Sequence, residues 1–205
     1  MIELFVSSLI TFFVVIDPPG CAPIYAGLTA GAPDAERRSM AIRAVFVAAI
    51  ILVVFALVGE DLLRGLGISL ASFRIAGGIM LFLIALEMVF EKRTERREDR
   101  AAKVQESAQE DVSIFPMAMP MIAGPGSIAS VMLLMARNDG WQRSAVVLGA
   151  LATILLLTLV ALLAAGPMMR LLGAKIEAVI TRLLGVLLAA LAVQFVMDGL
   201  QVSLR

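Results

Sequence analysis

The sequence predicts an all-α membrane protein with six transmembrane helices, arranged as two inverted repeats of three helices. The chain has 205 residues and is 60% hydrophobic, with a mean hydropathy of +0.96. Soluble domains have an apolar share of roughly 45–50%, and several apolar runs here approach the about 20 residues that cross a bilayer. Six of the eight prolines fall in two stretches, 16–23 and 116–126, and interrupt two of these runs.

The first half of the chain, residues 1–90, is expected to form the first repeat. Its opening run is interrupted at residues 17–23 by a carboxylate, three prolines and a glycine. It has no basic residue before the apolar run and no A-x-A-like site after it, so we interpret it as a retained helix. We expect the three membrane segments at about 2–30, 40–59 and 68–90.

The composition changes sharply at residues 91–111, which are charged and polar. This stretch is expected to be a solvated hydrophilic loop on the cytoplasmic side. The second repeat then covers residues 112–205, and its first segment is broken at 116–126. We expect its three segments at about 112–135, 144–169 and 176–200.

The two halves share short patterns in the same order. Pro19-Gly20 recurs as Pro125-Gly126, 106 residues later, and the spacing of Arg64 and Gly67 recurs in Arg170 and Gly173. Arg74 to Gly77 recurs, at an offset of 108, as Arg182 to Gly185. Three matches in register favour a duplication. If each half crosses the membrane three times, the second half starts on the opposite face and the repeats are inverted.

Lys and Arg residues indicate the orientation, because cytoplasmic loops are enriched in them. Six crossings place twelve basic residues on the side of the 91–111 loop and five on the other side. Both termini then lie outside. If segments one and four are instead re-entrant hairpins, the count is again twelve to five, the repeats are parallel and the termini are cytoplasmic. The charge bias leaves both interpretations open, and we favour broken crossings.

Asp17 is the first functional candidate. It lies on the order of 20 Å along its helix, near the middle of the membrane, at about 1.5 Å per residue. A charge at that depth costs several kcal/mol unless it is paired or hydrated. It would bind a substrate amine or a coupling proton or cation, or it would cap the helix that restarts at the prolines, since Asp before proline is a common helix start. These roles are compatible.

The two proline stretches are expected to free backbone groups inside the membrane. Pro18, Pro19 and Pro125 deny hydrogen bonds to carbonyls one turn earlier. After Gly20 and Gly126 a restarting helix would expose N–H groups and a positive dipole end, which suits a carboxylate. Two facing breaks would therefore suit a zwitterion such as an amino acid; the alternative is two ordinary proline kinks. The candidate substrate-binding residues are Asp17, Pro18, Pro19, Gly20, Ala123, Gly124, Pro125, Gly126 and Ser127.

Other polar residues have weaker signals. Arg74 and Arg182 begin the third helix of each half, and would form gates, pair with Glu60, Asp61, Glu87 or Glu177, or extend to the interface. Ser127, Ser130 and Thr29 follow the breaks and would line a site or bond internally.

The composition argues against several functional classes. The chain has no His and one Cys, so a Ser-His dyad and a cluster with zinc-ligand spacing are absent, and no phosphate-binding glycine loop is present. The net charge of zero implies no nucleic-acid partner. We expect no enzyme activity, no cofactor and no metal. An aspartyl enzyme acting on lipid would need a second carboxylate beside Asp17, for which Asp198 is the one candidate considered.

Both broken stretches resemble signatures of the MarC family of bacterial and archaeal inner-membrane proteins. Residues 16–25, IDPPGCAPIY, are similar to its D-P-x-G-x-x-P-x-aromatic opening, and residues 115–128, FPMAMPMIAGPGSI, to its P-L-A-x-P-x-x-A-G-P-G-x-I signature. The resemblance extends over nearly the whole chain. Cys21-Ala22 departs from it, because many members carry a polar residue such as Asn after the glycine.

The resemblance implies six membrane helices in two repeats, in a multi-pass protein of the inner membrane. It also implies a transporter or exporter of small neutral amino acids such as glycine and alanine. The expected partners are an amino-acid substrate, the lipid bilayer and a coupling proton or sodium ion, and a homo-oligomer is left open. The alternatives are a transporter of another small solute and a structural or accessory membrane protein in which the prolines serve packing alone.

Overall fold

A computed structural model describes residues 1–90, 92, 111–138 and 140–203, with the side chains of all these except 167–178. Within the described residues every regular element is helical. The α-helices are α1 (Ile2–Ile16), α2 (Pro18–Leu28), α3 (Asp34–Gly65), α4 (Leu70–Val89), α5 (Pro125–Arg137), α6 (Trp141–Leu163) and α7 (Ala165–Ser203), and a segment of wide π-type turns, Ser113–Ile122, precedes α5.

Five stretches in the described part are long and apolar enough to cross a bilayer: Ile2–Leu28, Asp34–Gly65, Leu70–Val89, Trp141–Leu163 and Val179–Ser203. A sixth span forms if Ser113–Ile122 and Pro125–Arg137, which are bent by 52°, are counted together. The prediction of an all-α membrane protein is confirmed, with five to six candidate spans.

Residue size decides which face of each helix is buried. The buried stripe of α3 is rich in alanine, with Ala41, Ala44 and Ala48 at zero exposure. The larger Phe46 and Leu57 on the same helix are exposed. In a bilayer this pattern is expected, because lipid tails are as apolar as Leu and small residues let helix backbones approach closely.

Helices α4 and α7 form the most extensive helix pair, and they run antiparallel. A Cβ built on Gly78 would lie 2.8 Å from the carbonyl oxygen of Ala192. At the other end of α4, a Cβ on Gly185 would lie 3.1 Å from the carbonyl oxygen of Ala85. The shorter contact requires glycine at position 78 and the longer one favours it at position 185. The residue numbers rise along one helix as they fall along the other, so the pair is antiparallel.

The two predicted repeats, 1–90 and 112–205, interlock. Helices α1 and α2 pack against α6, while the segment Ser113–Ile122 and α5 pack against α3. Helices α3 and α6 also contact each other, as do α1 and α5. Each half therefore buries its helices mainly against the other half, and a single core results.

The fourth segment differs most from its expected helix. Phe115 and Met119 have extended backbone angles, with φ of −127° and −131°. Each precedes a proline, whose ring disfavours the α region for the preceding residue. Other differences lie in helix length, since α3 begins at Asp34 and α7 begins at Ala165, both earlier than expected. Nearly all of the predicted loop 91–111 lies outside the described residues.

Candidate functional site at two interrupted segments

The first interruption is a single residue, Asp17, between α1 and α2. Its φ of 59° and ψ of 65° are left-handed, so α1 ends at Ile16. Pro18 and Pro19 occupy the first two positions of α2, where no backbone N–H is needed. The Asp17 carboxylate accepts a hydrogen bond from the Gly20 N–H at 3.1 Å, and the residue is 1% exposed. Asp17 is therefore a buried N-cap.

The start of α2 uses its own N–H groups. The Gly20 N–H is bonded to the Asp17 side chain, and the Cys21 N–H donates to the Asp17 carbonyl at 3.0 Å. The Cys21 thiol lies 3.4 Å from the carbonyl oxygen of Ile16. The expectation that α2 restarts after Gly20 with exposed N–H groups is wrong, because the helix begins at Pro18 and its cap takes the first available N–H.

The second interruption lies at Ala123 and Gly124, before α5. Gly124 has φ of −77° and ψ of 171°, and Pro125 is the first helical residue. A Cβ on Gly124 would lie 2.4 Å from the carbonyl oxygen of Pro120, so glycine is required. The N–H groups of Gly126 and Ser127 have no acceptor among the described residues, and both residues are buried. This helix start, unlike that of α2, presents N–H donors.

The helices that flank the two interruptions are in contact. A Cβ built on Gly126 would lie 3.3 Å from Cγ1 of Val15, two residues before Asp17. It would also lie 2.6 Å from Cδ1 of Ile84 on α4. Helix α2 in addition contacts the segment Ser113–Ile122. The fold thus brings together the two stretches that hold all nine candidate substrate-binding residues.

Buried hydroxyl groups fall into two kinds near this region. The Thr29 hydroxyl donates to the Tyr25 carbonyl at 2.8 Å, which is the internal bond considered for it. Ser130 is fully buried one turn after Gly126, and its Oγ has no partner among the described residues. Ser8 on α1 has the same property and was missed in the sequence, where a hydroxyl in an apolar run was the only signal.

Arg74 and Arg182 lie on the extensive α4–α7 pair. The Nε of Arg74 is buried without an acceptor in the described part of the chain, and its Cβ packs against Gly199. Glu60 and Asp61, considered as its partners, instead pair with Arg64 at 3.0 and 3.7 Å. Glu177 has no described side chain, so that pairing lies outside the described residues.

Two ion pairs mark opposite ends of the helix bundle. Arg43 pairs with Asp111, which also accepts the Ser113 N–H at 2.9 Å. We call the end that holds Arg37, Arg38 and Arg43 the basic end. At the other end Arg137 pairs with Asp198, which accepts from Gln194 at 2.7 Å. Asp198 therefore lies beside the last residue of α5, and not at the interruptions.

Hydrogen bonding to Ser113, and then the Arg43 guanidinium, hold the pKa of Asp111 below its ordinary value of 3.8. Asp111 precedes the first turn of the fourth segment. Sequence patterns did not reveal this pair, because its members are 68 residues apart.

These features define a helical integral membrane protein in which two interrupted membrane segments meet. Residues 2–204 match the family model described as MarC family integral membrane protein. The chain belongs to the MarC family, and the resemblance of its two broken stretches is confirmed.

Relatives from archaea and bacteria share nearly the whole chain. A UPF0056 membrane protein of Methanocaldococcus jannaschii is 35% identical over 206 residues, covering 99% of this chain and 98% of that protein. UPF0056 membrane protein YvbG of Bacillus subtilis is 34% identical, covering 98% and 96%. UPF0056 membrane protein YhcE of Escherichia coli is 32% identical, covering 94% and 89%. These names state a membrane protein and no substrate. No solved structure matches this chain.

Proposed function

We propose that this protein is a secondary transporter or exporter that moves a small neutral amino acid, such as glycine or alanine, across the inner membrane. The observation that carries the proposal is that residues beside the two interruptions meet, where Val15 approaches Gly126. A buried carboxylate and two N–H groups without acceptors among the described residues belong to these adjacent stretches. Paired broken segments in two halves are the usual location of a transporter's binding site.

The chemistry of the two stretches suits a zwitterion. Asp17 would bind the substrate ammonium, or a coupling proton or sodium ion, because an ionisable residue inside a membrane segment is by default a candidate for substrate or ion binding. The N–H groups of Gly126 and Ser127, at the positive end of α5, would bind the substrate carboxylate. Ser130 adds a buried hydroxyl one turn further along. The close approach of Ile84 to Gly126 favours a substrate with a small side chain.

We further propose six crossings in two inverted repeats, and several contacts support this. Asp111 pairs with Arg43, and Met132 packs against Gly59. From Arg43 to Gly59 α3 advances about 24 Å at about 1.5 Å per residue. Because its two ends lie beside Arg43 and Gly59, the chain from 111 to 132 extends over a similar distance. This favours a crossing over a re-entrant hairpin.

The packing between helices supports the same topology. Re-entrant first and fourth segments would make α4 and α7 parallel, whereas these helices pack antiparallel. The contacts between the two halves also correspond. Helices α1 and α2 of the first half contact α6 of the second, and the fourth segment of the second half contacts α3 of the first. Two repeats related by a two-fold axis require this correspondence. Together with the twelve-to-five charge bias, six crossings place the basic end in the cytoplasm.

The test is uptake of labelled glycine and alanine into proteoliposomes, with and without a proton or sodium gradient. Asp17→Asn is the informative variant, because an Asn side chain still accepts the Gly20 N–H and keeps the cap. We expect it to fold normally and to lose at least about tenfold in sub-saturating uptake, since a hydrogen bond to a charged group contributes about 1.5–3 kcal/mol. Glu3→Gln, at an exposed carboxylate on α1, is the matched control and should retain uptake.

Two outcomes would contradict parts of the proposal. Equal uptake by Asp17→Asn and wild type would keep a transporter but reduce Asp17 to a helix cap. No saturable uptake of either amino acid by folded wild-type protein, under any gradient, would rule against this substrate class. That result would favour a transporter of another small solute or an accessory membrane protein.

A further inference from the structure

A polar cavity of about 380 Å³ opens at the basic end, between α2, α3 and α6. Tyr25, Arg37 and Arg38 line it together with Leu162 and Leu163. The Tyr25 hydroxyl donates to the Arg37 carbonyl, so α2 is tied to the first turns of α3. The cavity is therefore lined by both arginine and leucine side chains.

A separate apolar groove of about 450 Å³ lies further along α3 and α6. On α3 the groove begins at Ile42, four residues after Arg38, and on α6 it begins at Leu159, four residues before Leu163. Its lining is aliphatic and aromatic throughout, and Phe46 and Leu156 on its walls are exposed. One helical turn thus separates the arginine-lined cavity from an exposed apolar groove.

The charge at the cavity is positive. Asp34 also lines it and lies 3.7 Å from Nη1 of Arg37, but its carboxylate is fully exposed. The Arg37 side chain is only 28% exposed, and its Nε is buried without an acceptor among the described residues. Its Nη2 lies 3.6 Å from a Cβ built on Gly166. Among the described side chains, two guanidinium groups against one carboxylate leave a net positive charge at this cavity.

We propose that this cavity and groove together bind one anionic phospholipid, with its phosphate on Arg37 and Arg38 and an acyl chain along α3 and α6. Guanidinium groups match phosphate geometry, and basic pockets between membrane helices suit anionic lipid head groups. A small anion would fill the polar cavity alone, and a neutral lipid would fill the groove alone. This lipid site is separate from the two interruptions, and it stands whether or not the protein transports amino acids.

Native mass spectrometry of the full chain in detergent tests the head-group contacts, with phosphatidylglycerol and phosphatidylcholine of identical acyl chains as probes. Wild type should retain phosphatidylglycerol more tightly. Arg37→Gln combined with Arg38→Gln should weaken phosphatidylglycerol about tenfold or more and leave phosphatidylcholine unchanged, since each basic residue near a surface contributes about 1 kcal/mol. Arg64→Gln, at the other end of the same helix, is the matched control. If the double variant does not fold, Arg38→Gln alone should weaken phosphatidylglycerol by about fivefold.

A second pair of variants tests the groove. Ala152→Phe would fill it and should weaken both lipids, whereas Ala76→Phe, at an exposed alanine on α4, should weaken neither. Equal phosphatidylglycerol binding by the arginine variants and Arg64→Gln would overturn the proposal. A competition experiment gives a second such outcome. If inorganic phosphate displaced bound phosphatidylglycerol as effectively as added phosphatidylglycerol does, the proposal would be overturned, because the site would then bind a free anion.

Discussion

Asp17 adopts a left-handed backbone conformation that few residues other than glycine adopt, with φ of 59°. Asp tolerates it because a short polar side chain bonds locally, and here the carboxylate accepts the Gly20 N–H. The sequence identified Asp17 as a functional candidate, since an ionisable residue in an apolar run is conspicuous. The cap role considered for it is now observed, and its role toward a substrate stays a prediction.

Gly124 allows the tight approach before α5. In Gly124→Ala the new Cβ would meet the Pro120 carbonyl oxygen at 2.4 Å, and a backbone atom cannot move aside cheaply. We expect a loss of about 1–3 kcal/mol in unfolding free energy, measured by thermal unfolding in detergent. Gly31→Ala, where nothing lies within 4 Å of the added Cβ, is the control. Equal melting temperatures of the two variants would contradict the tight contact.

Asp111 should make stability depend on pH. Because its folded pKa lies below the ordinary value of 3.8, its contribution is present above that value and is lost as the pH falls through the lowered pKa. The carboxylate is 43% exposed, so we expect Asp111→Asn to cost only about 0.5 kcal/mol near neutral pH.

Unfolding at about pH 7 and about pH 3, for wild type and Asp111→Asn, measures this difference. The difference in unfolding free energy between wild type and Asp111→Asn should be smaller at the lower pH. Arg43→Gln removes the same ion pair and should behave alike. If this difference in unfolding free energy were the same at both pH values, it would contradict a role for the ionised carboxylate.

Among the elements, the fourth membrane segment departs furthest from a regular helix. Pro116 and Pro120 make their preceding residues extended, and Ser113–Ile122 winds in wide turns. A proline pattern predicts an interruption, since the ring removes a donor and restricts its neighbour. It does not predict the path between interruptions, which depends on packing against α3.

The antiparallel α4–α7 pair depends on glycines at the crossing. In Gly78→Ala the added Cβ would lie 2.8 Å from the Ala192 carbonyl oxygen, so the helices must separate. We expect a loss of about 1–3 kcal/mol, with a lower melting temperature in detergent. Gly149→Ala on α6, with open space around the added Cβ, should be neutral or stabilising, because Ala favours helix over Gly. A Gly78→Ala protein as stable as Gly149→Ala would contradict this packing.

The whole molecule is one interlocked bundle, in which each half packs mainly against the other. The proposed six crossings make a clear prediction about the sides of the membrane. In a Cys21→Ala background, Asp111→Cys and Arg137→Cys should be labelled by an impermeant thiol reagent from opposite sides. Arg38→Cys and Arg64→Cys, at opposite ends of α3, provide the reference for each side. Labelling of both test positions from one side would favour a re-entrant fourth segment.

Composition and pattern were sufficient to establish the membrane class, the approximate helical spans and the family. The length of an apolar run and the spacing of prolines and glycines are local properties of the sequence. Local signals also located Asp17 and the two interruptions. The tertiary structure alone decided three features. These are the contact between the helices that flank the interruptions, the antiparallel α4–α7 pair and the Arg43–Asp111 ion pair. Residues far apart in sequence meet there through backbone approach at glycines and through opposite charges, and no local pattern encodes which distant surface each one will contact.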